Sequence, residues 1–213
     1  MTKPSPENKS KKVTHPRLLF LPGVGADPMF WRPLGDELPA DWEKVYFGWP
    51  GLGEQAPDPA VNSWADLVAM VEAKLGDGPV DLLAQSMGGA IALQIALQHP
   101  KKIRRIVLSV TSGGIDMAGL GTSDWRANYQ RGHPNAAAWI TEARPDHAGE
   151  LHRITQPTLL LWGDSDPISP VAVGERLQTL LPDAHLHVIP GGEHDLVEAR
   201  ADAVAGLIRS HLT

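Results

Sequence analysis

The chain has 213 residues, room for one domain with a full core, and carries 19 Lys and Arg against 25 Asp and Glu, a formal charge of −6. An acidic balance disfavours nucleic acid and anionic membrane surfaces as partners, because both require a basic face. With no cysteine the chain has no disulfide, no thiolate nucleophile and no thiolate metal site, which fits a cytoplasmic protein.

Residues 1–12, MTKPSPENKSKK, are charged and lack an apolar run of signal-peptide length, so they read as a disordered tail ahead of a single domain over 13–213. Leu18 to Leu21 is the next apolar stretch and is far too short to span a membrane. Arg17 to Leu21 reads as a strand, followed by the glycine-rich turn PGVGADP and a helix whose Phe30, Trp31, Leu34 and Leu38 recur at helical spacing. Lys44 to Gly48 is a second strand, and the Pro- and Gly-dense stretch from Trp49 to Pro59 is loop. Asn62 or Ser63 then caps a helix through Leu75, with Trp64, Leu67, Val68 and Val71 on one face.

The stretch VDLLAQSMGGAIALQIALQH, Val80 to His99, is the most informative one. Val80 to Ala84 is an apolar run fit for a strand buried on both faces, and Ala90 to Leu97 is apolar nearly all round, as a helix packed on a sheet should be. Ser86 stands at the tight turn between them, with small residues two before and two after it, Ala84 and Gly88, that let strand and helix approach. Further strands are predicted over Ile103 to Val110, Thr158 to Trp162 and His185 to Ile189. Helices are predicted over Val171 to Leu181 and Val197 to His211. Strands alternating with helices mean an α/β fold, a mostly parallel sheet of about six strands with helices on both faces. Residues 115–155 break the rhythm, with scattered apolar residues and no strand signal, and read as a small helical cap over the strand ends.

In such sheets ligands bind at the carboxyl ends of the strands. The residues found there are Ser86, then Asp164 and Asp166 in GDSDPISP after the fifth strand, then His194 in PGGEHDL after the sixth. A serine hydroxyl becomes a nucleophile when a neutral imidazole takes its proton and a carboxylate holds that imidazole in the right tautomer. The backbone N–H groups of Met87, at the start of the elbow helix, and of Val24, in the first glycine-rich turn, are candidates for an oxyanion hole. Spacing alone leaves Asp164 open beside Asp166 as the acid, with Asp116 a further alternative. His185 and His187 share a strand face as metal ligands do, but no third ligand is evident, so no metal is expected. Gly23-x-Gly25 hints at a dinucleotide fingerprint, which Pro28 at the third glycine's position rules out. Trp125 and Trp139 fall in the cap and are candidates to line a substrate pocket.

With these motifs the chain resembles the α/β-hydrolase-fold proteins from about Arg17 to its end. AQSMG, Ala84 to Gly88, resembles the family's nucleophile elbow G-x-S-x-G with Ala in the first position. Gly163, Asp166 and Pro170 resemble its acid motif, which implies Asp166 rather than Asp164. Gly191, Gly192 and His194 resemble its histidine turn, and Pro22 to Gly25 its oxyanion turn, with Pro in place of the usual His. The family's first two strands have no counterpart, so the resemblance implies a minimal member. It also implies a serine hydrolase of the carboxylesterase kind, using Ser86, Asp166 and His194 through an acyl-enzyme on a small-molecule acyl substrate, with no cofactor. An acyl-thioesterase, or a small-ligand receptor that keeps the triad, are the alternatives. The short cap leads to the expectation of a shallow pocket that favours short acyl groups.

Overall fold

The computed structural model describes residues 16–142 and 146–213; the tail expected over 1–12 lies outside the described residues. Six parallel strands form one sheet in the order β2-β1-β3-β4-β5-β6: β1 Arg17–Leu21, β2 Lys44–Tyr46, β3 Val80–Gln85, β4 Ile103–Ser109, β5 Thr158–Gly163 and β6 Ala184–Ile189. Every residue of β3 and β5 is buried, as parallel strands covered by helices on both faces require.

Alternation along the strands sorts their side chains into two cores. Leu18 and Phe20 of β1, with Leu159 and Leu161 of β5, point to the face covered by α1 (Arg32–Glu37), α6 (Leu196–Ala199) and α7 (Ala201–Leu212). Leu19, Leu21, Leu160 and Trp162 point to the other, covered by α2 (Trp64–Glu72), α3 (Met87–Gln98) and α5 (Val171–Leu180). Helix α2 begins where sequence places its cap: Ser63 Oγ accepts from Asp66 N at 3.3 Å, while an Asp66 carboxylate oxygen accepts from Asn62 N at 2.9 Å. The Asn62 bond first, then the Ser63 hydroxyl donating to Asp66 Oδ2 at 2.8 Å, lower the Asp66 pKa.

The helix expected over Val197 to His211 is two helices, broken at Arg200 (φ −126°, ψ 34°). Neither Gly nor Pro marks the break. It separates Leu196 and Val197, buried beneath the turn that carries His194, from Val204, Ile208 and Leu212, which follow the sheet. Among the described residues of 115–155 there is one seven-residue helix, α4 Arg126–Gly132, and two short 3₁₀ turns, Ala138–Thr141 and Leu151–Arg153, and the helical content of the cap is confined to these. Its loops are tied to the scaffold instead: Ala137 N donates to Gly51 O at 2.9 Å, Ser123 N to Pro167 O at 2.8 Å, and Gly53 N to the Tyr129 hydroxyl at 2.9 Å. Among the described residues no helix is long and apolar enough to cross a membrane.

Candidate active site

The strand register decides which loops meet. Leu21 lies beside Ala84, Gln85 beside Ser109, Ser109 beside Leu161 and Gly163 beside Ile189, so β1, β3, β4, β5 and β6 all end at nearly one level. β1 is also the strand at which chain order reverses, with β2 on one side and β3 on the other. The crevice beyond β1 and β3 is therefore where such a sheet opens for a ligand.

Ser86 occupies that crevice with φ 51° and ψ −121°, a left-handed backbone that an L-residue adopts only when its surroundings hold it there. Ser86 N donates to Ser109 O at 3.0 Å, and Ser86 O accepts from both Gly89 N (3.0 Å) and the Thr111 hydroxyl. Gly88 is needed by space: a Cβ there would fall 2.6 Å from Pro22 O and closer still to Leu21 O. Thr111 is carried into reach by Val110, whose φ of 42° is an outlier for a β-branched residue.

His194 Nε2 lies 2.9 Å from Ser86 Oγ, and His194 Nδ1 lies 2.7 Å from Asp166 Oδ2. The Asp166 side chain is 0 % exposed and that of His194 25 % exposed, so the acid is shielded while the imidazole faces the crevice. Asp166 Oδ1 accepts from Ile168 N at 2.8 Å and Ser169 N at 3.2 Å, which fixes the carboxylate and leaves Oδ2 for the histidine. Gln85 Nε2 donates to His194 O at 2.9 Å, holding the backbone that carries the ring. Asp164 faces elsewhere: its Oδ1 accepts from Gly191 N at 2.7 Å and Ser165 Oγ at 3.1 Å, so it ties the acid loop to the histidine turn. Asp116 Oδ1 accepts from Ala118 N at 2.9 Å within the cap, and Asp116 lines the cavity wall.

Val24 and Met87 flank Ser86. Ala26 N donates to Gly23 O at 3.0 Å, which makes Pro22 to Ala26 a tight turn, and Met87 is the first residue of α3, where the helix dipole is positive. Among the described residues neither of their N–H groups is given to a protein acceptor, and both residues line the crevice with Ser86 and His194. Donors so placed can hold a negative oxygen attached to a carbon bonded to Ser86 Oγ.

A cavity of about 620 Å³ opens from Ser86 beneath the cap. Its apolar wall includes Trp64, Ala90 and Val110 from the scaffold and Ile115, Met117 and Trp125 from the cap, while the cap also contributes Asp116, Arg126, Glu142 and Asp146. This volume lies within the range of sites for drug-sized ligands. Loops hung on backbone hydrogen bonds enclose space that the short helices alone would not. Trp125 lines the cavity as expected and stacks edge-on against Tyr129, with centroids 5.6 Å apart. Trp139 does not line it; the 3₁₀ turn presents Ile140 there, and Trp139 packs against the core. Trp64, on the same helix face as Leu67, Val68 and Val71, lines the cavity, its Nε1 donating to Gln94 Oε1 at 2.7 Å. His185 and His187 stand on the exposed side of the edge strand β6, and among the described residues no three His, Asp or Glu come together as a metal site requires.

A doubly wound parallel sheet with a strained serine elbow, followed in chain order by an acid and a histidine, defines the hydrolase class of this architecture. The chain belongs to the α/β-hydrolase-fold family, which it matches over residues 16–143 and 122–201. It is 28 % identical over 237 aligned positions to a poly(3-hydroxyalkanoate) depolymerase of Ectopseudomonas oleovorans, covering 92 % of this chain and 83 % of that one. It is 26 % identical over 249 positions to a pimeloyl-[acyl-carrier protein] methyl ester esterase of Neisseria meningitidis, covering 95 % and 96 %. Among solved structures, a thermophilic esterase from Thermogutta terrifontis has the same fold, with a TM-score of 0.74 at 21 % identity over 92 % of this chain and 90 % of that one.

Proposed function

We propose that the protein is a serine esterase that cleaves small carboxylic esters through an acyl-enzyme on Ser86. The observation that carries this reading is the unbroken line from Ser86 Oγ to His194 Nε2 (2.9 Å) and from His194 Nδ1 to Asp166 Oδ2 (2.7 Å). The depolymerase and the methyl ester esterase to which the chain is similar both act on esters by name, which supports the bond type. Ser86 Oγ attacks the ester carbonyl as its proton passes to His194 Nε2. The oxyanion is held by the N–H groups of Val24 and Met87, and Asp166 stabilises the imidazolium. The C–O bond then breaks as His194 returns the proton to the leaving alcohol. Water attacks the acyl-enzyme with His194 again as base, releasing the acid and restoring Ser86.

The test is Ser86→Ala on a panel of p-nitrophenyl and alkyl esters, together with a fluorophosphonate probe and peptide mapping. Turnover is expected to fall at least ~10³-fold, with the probe's mass found on the peptide containing Ser86. Undiminished turnover in the variant, or a label on another serine, overturns the reading.

A further inference from the structure

A second cavity adjoins the nucleophile. It measures about 240 Å³ and shares Val24, Ser86 and His194 with the larger one. An ester has two arms that diverge from the carbonyl carbon, and two unequal cavities diverge from Ser86. The larger touches both residues proposed to supply the oxyanion's N–H donors, Val24 and Met87, so it suits the arm that stays bonded to Ser86 through both half-reactions. The smaller touches Val24 but not Met87, and it extends past the shared His194, which returns the proton to the leaving oxygen, to the next residue, Asp195. Resting on the serine-esterase reading above, we infer that the smaller cavity receives the leaving alcohol and selects small alcohols that are neutral or cationic.

Size and charge both enter the argument. At about 30 Å³ per water, the cavity has the volume of about eight waters, so only a short alcohol is enclosed. Val24, Ala26 and Phe30 give it an apolar wall, and its charged residues Asp27 and Asp195 are both carboxylates, with no Lys or Arg in the lining. Glu198 lies close enough to feel both: burial first, then the charges of Asp195 and Asp27, raise its pKa. Arg32 is paired with Asp36 at 2.9 Å and Arg200 bonds Pro190 O at 3.4 Å. The two carboxylates of the lining, with Glu198 close to them, repel a phosphate-bearing leaving group such as coenzyme A and attract a cationic one.

The experiment compares leaving groups of matched shape on the full chain, at 10 mM and 150 mM ionic strength. Acetylcholine and 3,3-dimethylbutyl acetate differ in one charge; acetyl-CoA and S-ethyl thioacetate differ in an anionic carrier. The ratio of kcat/KM for the cationic over the neutral ester is expected to fall several-fold on raising salt, because the Debye length shrinks from about 30 Å to about 8 Å. It is expected to fall similarly in Asp27→Asn and in Asp195→Asn. Acetyl-CoA should be cleaved at least tenfold less efficiently than S-ethyl thioacetate, and kcat/KM along ethyl, butyl, hexyl and octyl acetate should stop rising after the short alcohols. A ratio indifferent to salt and to both substitutions overturns the inference, as does acetyl-CoA matching the small thioester, or a steady rise to octyl acetate. If those results come with hydrolysis that Ser86→Ala abolishes, the esterase reading stands and the alcohol-site assignment alone falls. Hydrolysis that survives Ser86→Ala removes both.

Discussion

Replacing Asp166 by Asn tests the acid assignment, and the structure says which way the new amide must sit. Asp166 Oδ1 accepts two backbone N–H groups, from Ile168 at 2.8 Å and Ser169 at 3.2 Å. An amide nitrogen there would set donor against donors, so the Asn oxygen takes that place and its NH₂ faces His194 Nδ1, where Oδ2 now lies at 2.7 Å. A donor facing Nδ1 makes that nitrogen the acceptor and moves the ring proton to Nε2, which points at Ser86 Oγ. The imidazole can then no longer take the serine proton. Loss of the correct tautomer in such a triad lowers kcat by about 10⁴-fold, or ~5.5 kcal/mol of barrier. Asp164→Asn keeps an oxygen for Gly191 N and Ser165 Oγ at an exposed position, so its effect should stay within roughly ±0.5 kcal/mol, about twofold. The assay is kcat on p-nitrophenyl acetate, normalised to sites titrated with a phosphonate, with melting curves for both variants. Equal losses in the two, or an Asp166→Asn enzyme within tenfold of wild type, refute the reasoning.

Thr111→Val removes the hydroxyl that holds Ser86 O and accepts from Gly113 N at 2.9 Å. Loosening the elbow should lower kcat by about 10- to 100-fold with KM little changed, and Thr111→Ser should restore most of it, whereas a purely structural role would move the melting temperature alone. Along an acyl series, each buried methylene contributes ~0.8 kcal/mol, about fourfold in kcat/KM, until the chain meets Asp116, Arg126, Glu142 and Asp146; a plateau at medium length is expected, and a rise continuing into long-chain esters refutes it. Trp125→Ala should raise KM, while Trp139→Ala, outside the cavity, should not. His211 Nε2 donates to Ile106 O at 3.0 Å, and burial first, then the charge of Arg105, lowers its pKa below the usual ~6.5. A lowered histidine pKa contributes stability in full above ~6.5 and loses it as pH falls through the folded-state value. Melting temperature against pH should therefore drop less steeply on the acid side in His211→Asn than in wild type, and parallel curves would refute this.

The sheet was legible because parallel strands buried on both faces are predominantly apolar, and Val80 to Ala84, despite Asp81, which is buried against Arg104, and Thr158 to Trp162 read as such strands. Helix α3 was legible for the same reason, with eight of its twelve residues buried. The break at Arg200 was not, since the periodicity of Leu196, Val197, Val204 and Ile208 continues through it and neither Gly nor Pro marks it. The cap resisted reading because its order is not periodic. Ala137 and Ser123 are placed by backbone hydrogen bonds to distant partners, and Tyr129 by the bond its hydroxyl accepts from Gly53 N, which leave no pattern in the residues themselves.

At the site, the residues that sequence revealed are those that follow a strand directly. Ser86, Asp166 and His194 each sit within five residues of a strand end, so the rule that ligands bind at the carboxyl edge finds them from the chain alone. It missed Thr111 and Gln85, and for Asp164 it offered the role of acid; all three act on another loop's backbone, Thr111 on Ser86 O, Gln85 on His194 O and Asp164 on Gly191 N. Each of these bonds joins two loops that leave different strands, and each is made because the strands end level. Thr111 joins β4's loop to the elbow after β3, Gln85 joins the end of β3 to the loop after β6, and Asp164 joins the loops after β5 and β6. A one-residue slip between any of these neighbours would move the partners apart and send a strand's side chains into the opposite one of the two cores. The alignment of Ser86, His194 and Asp166 is thus held by the register of the hydrophobic sheet, and the side chains that transmit it are polar, loop-borne and without sequence periodicity.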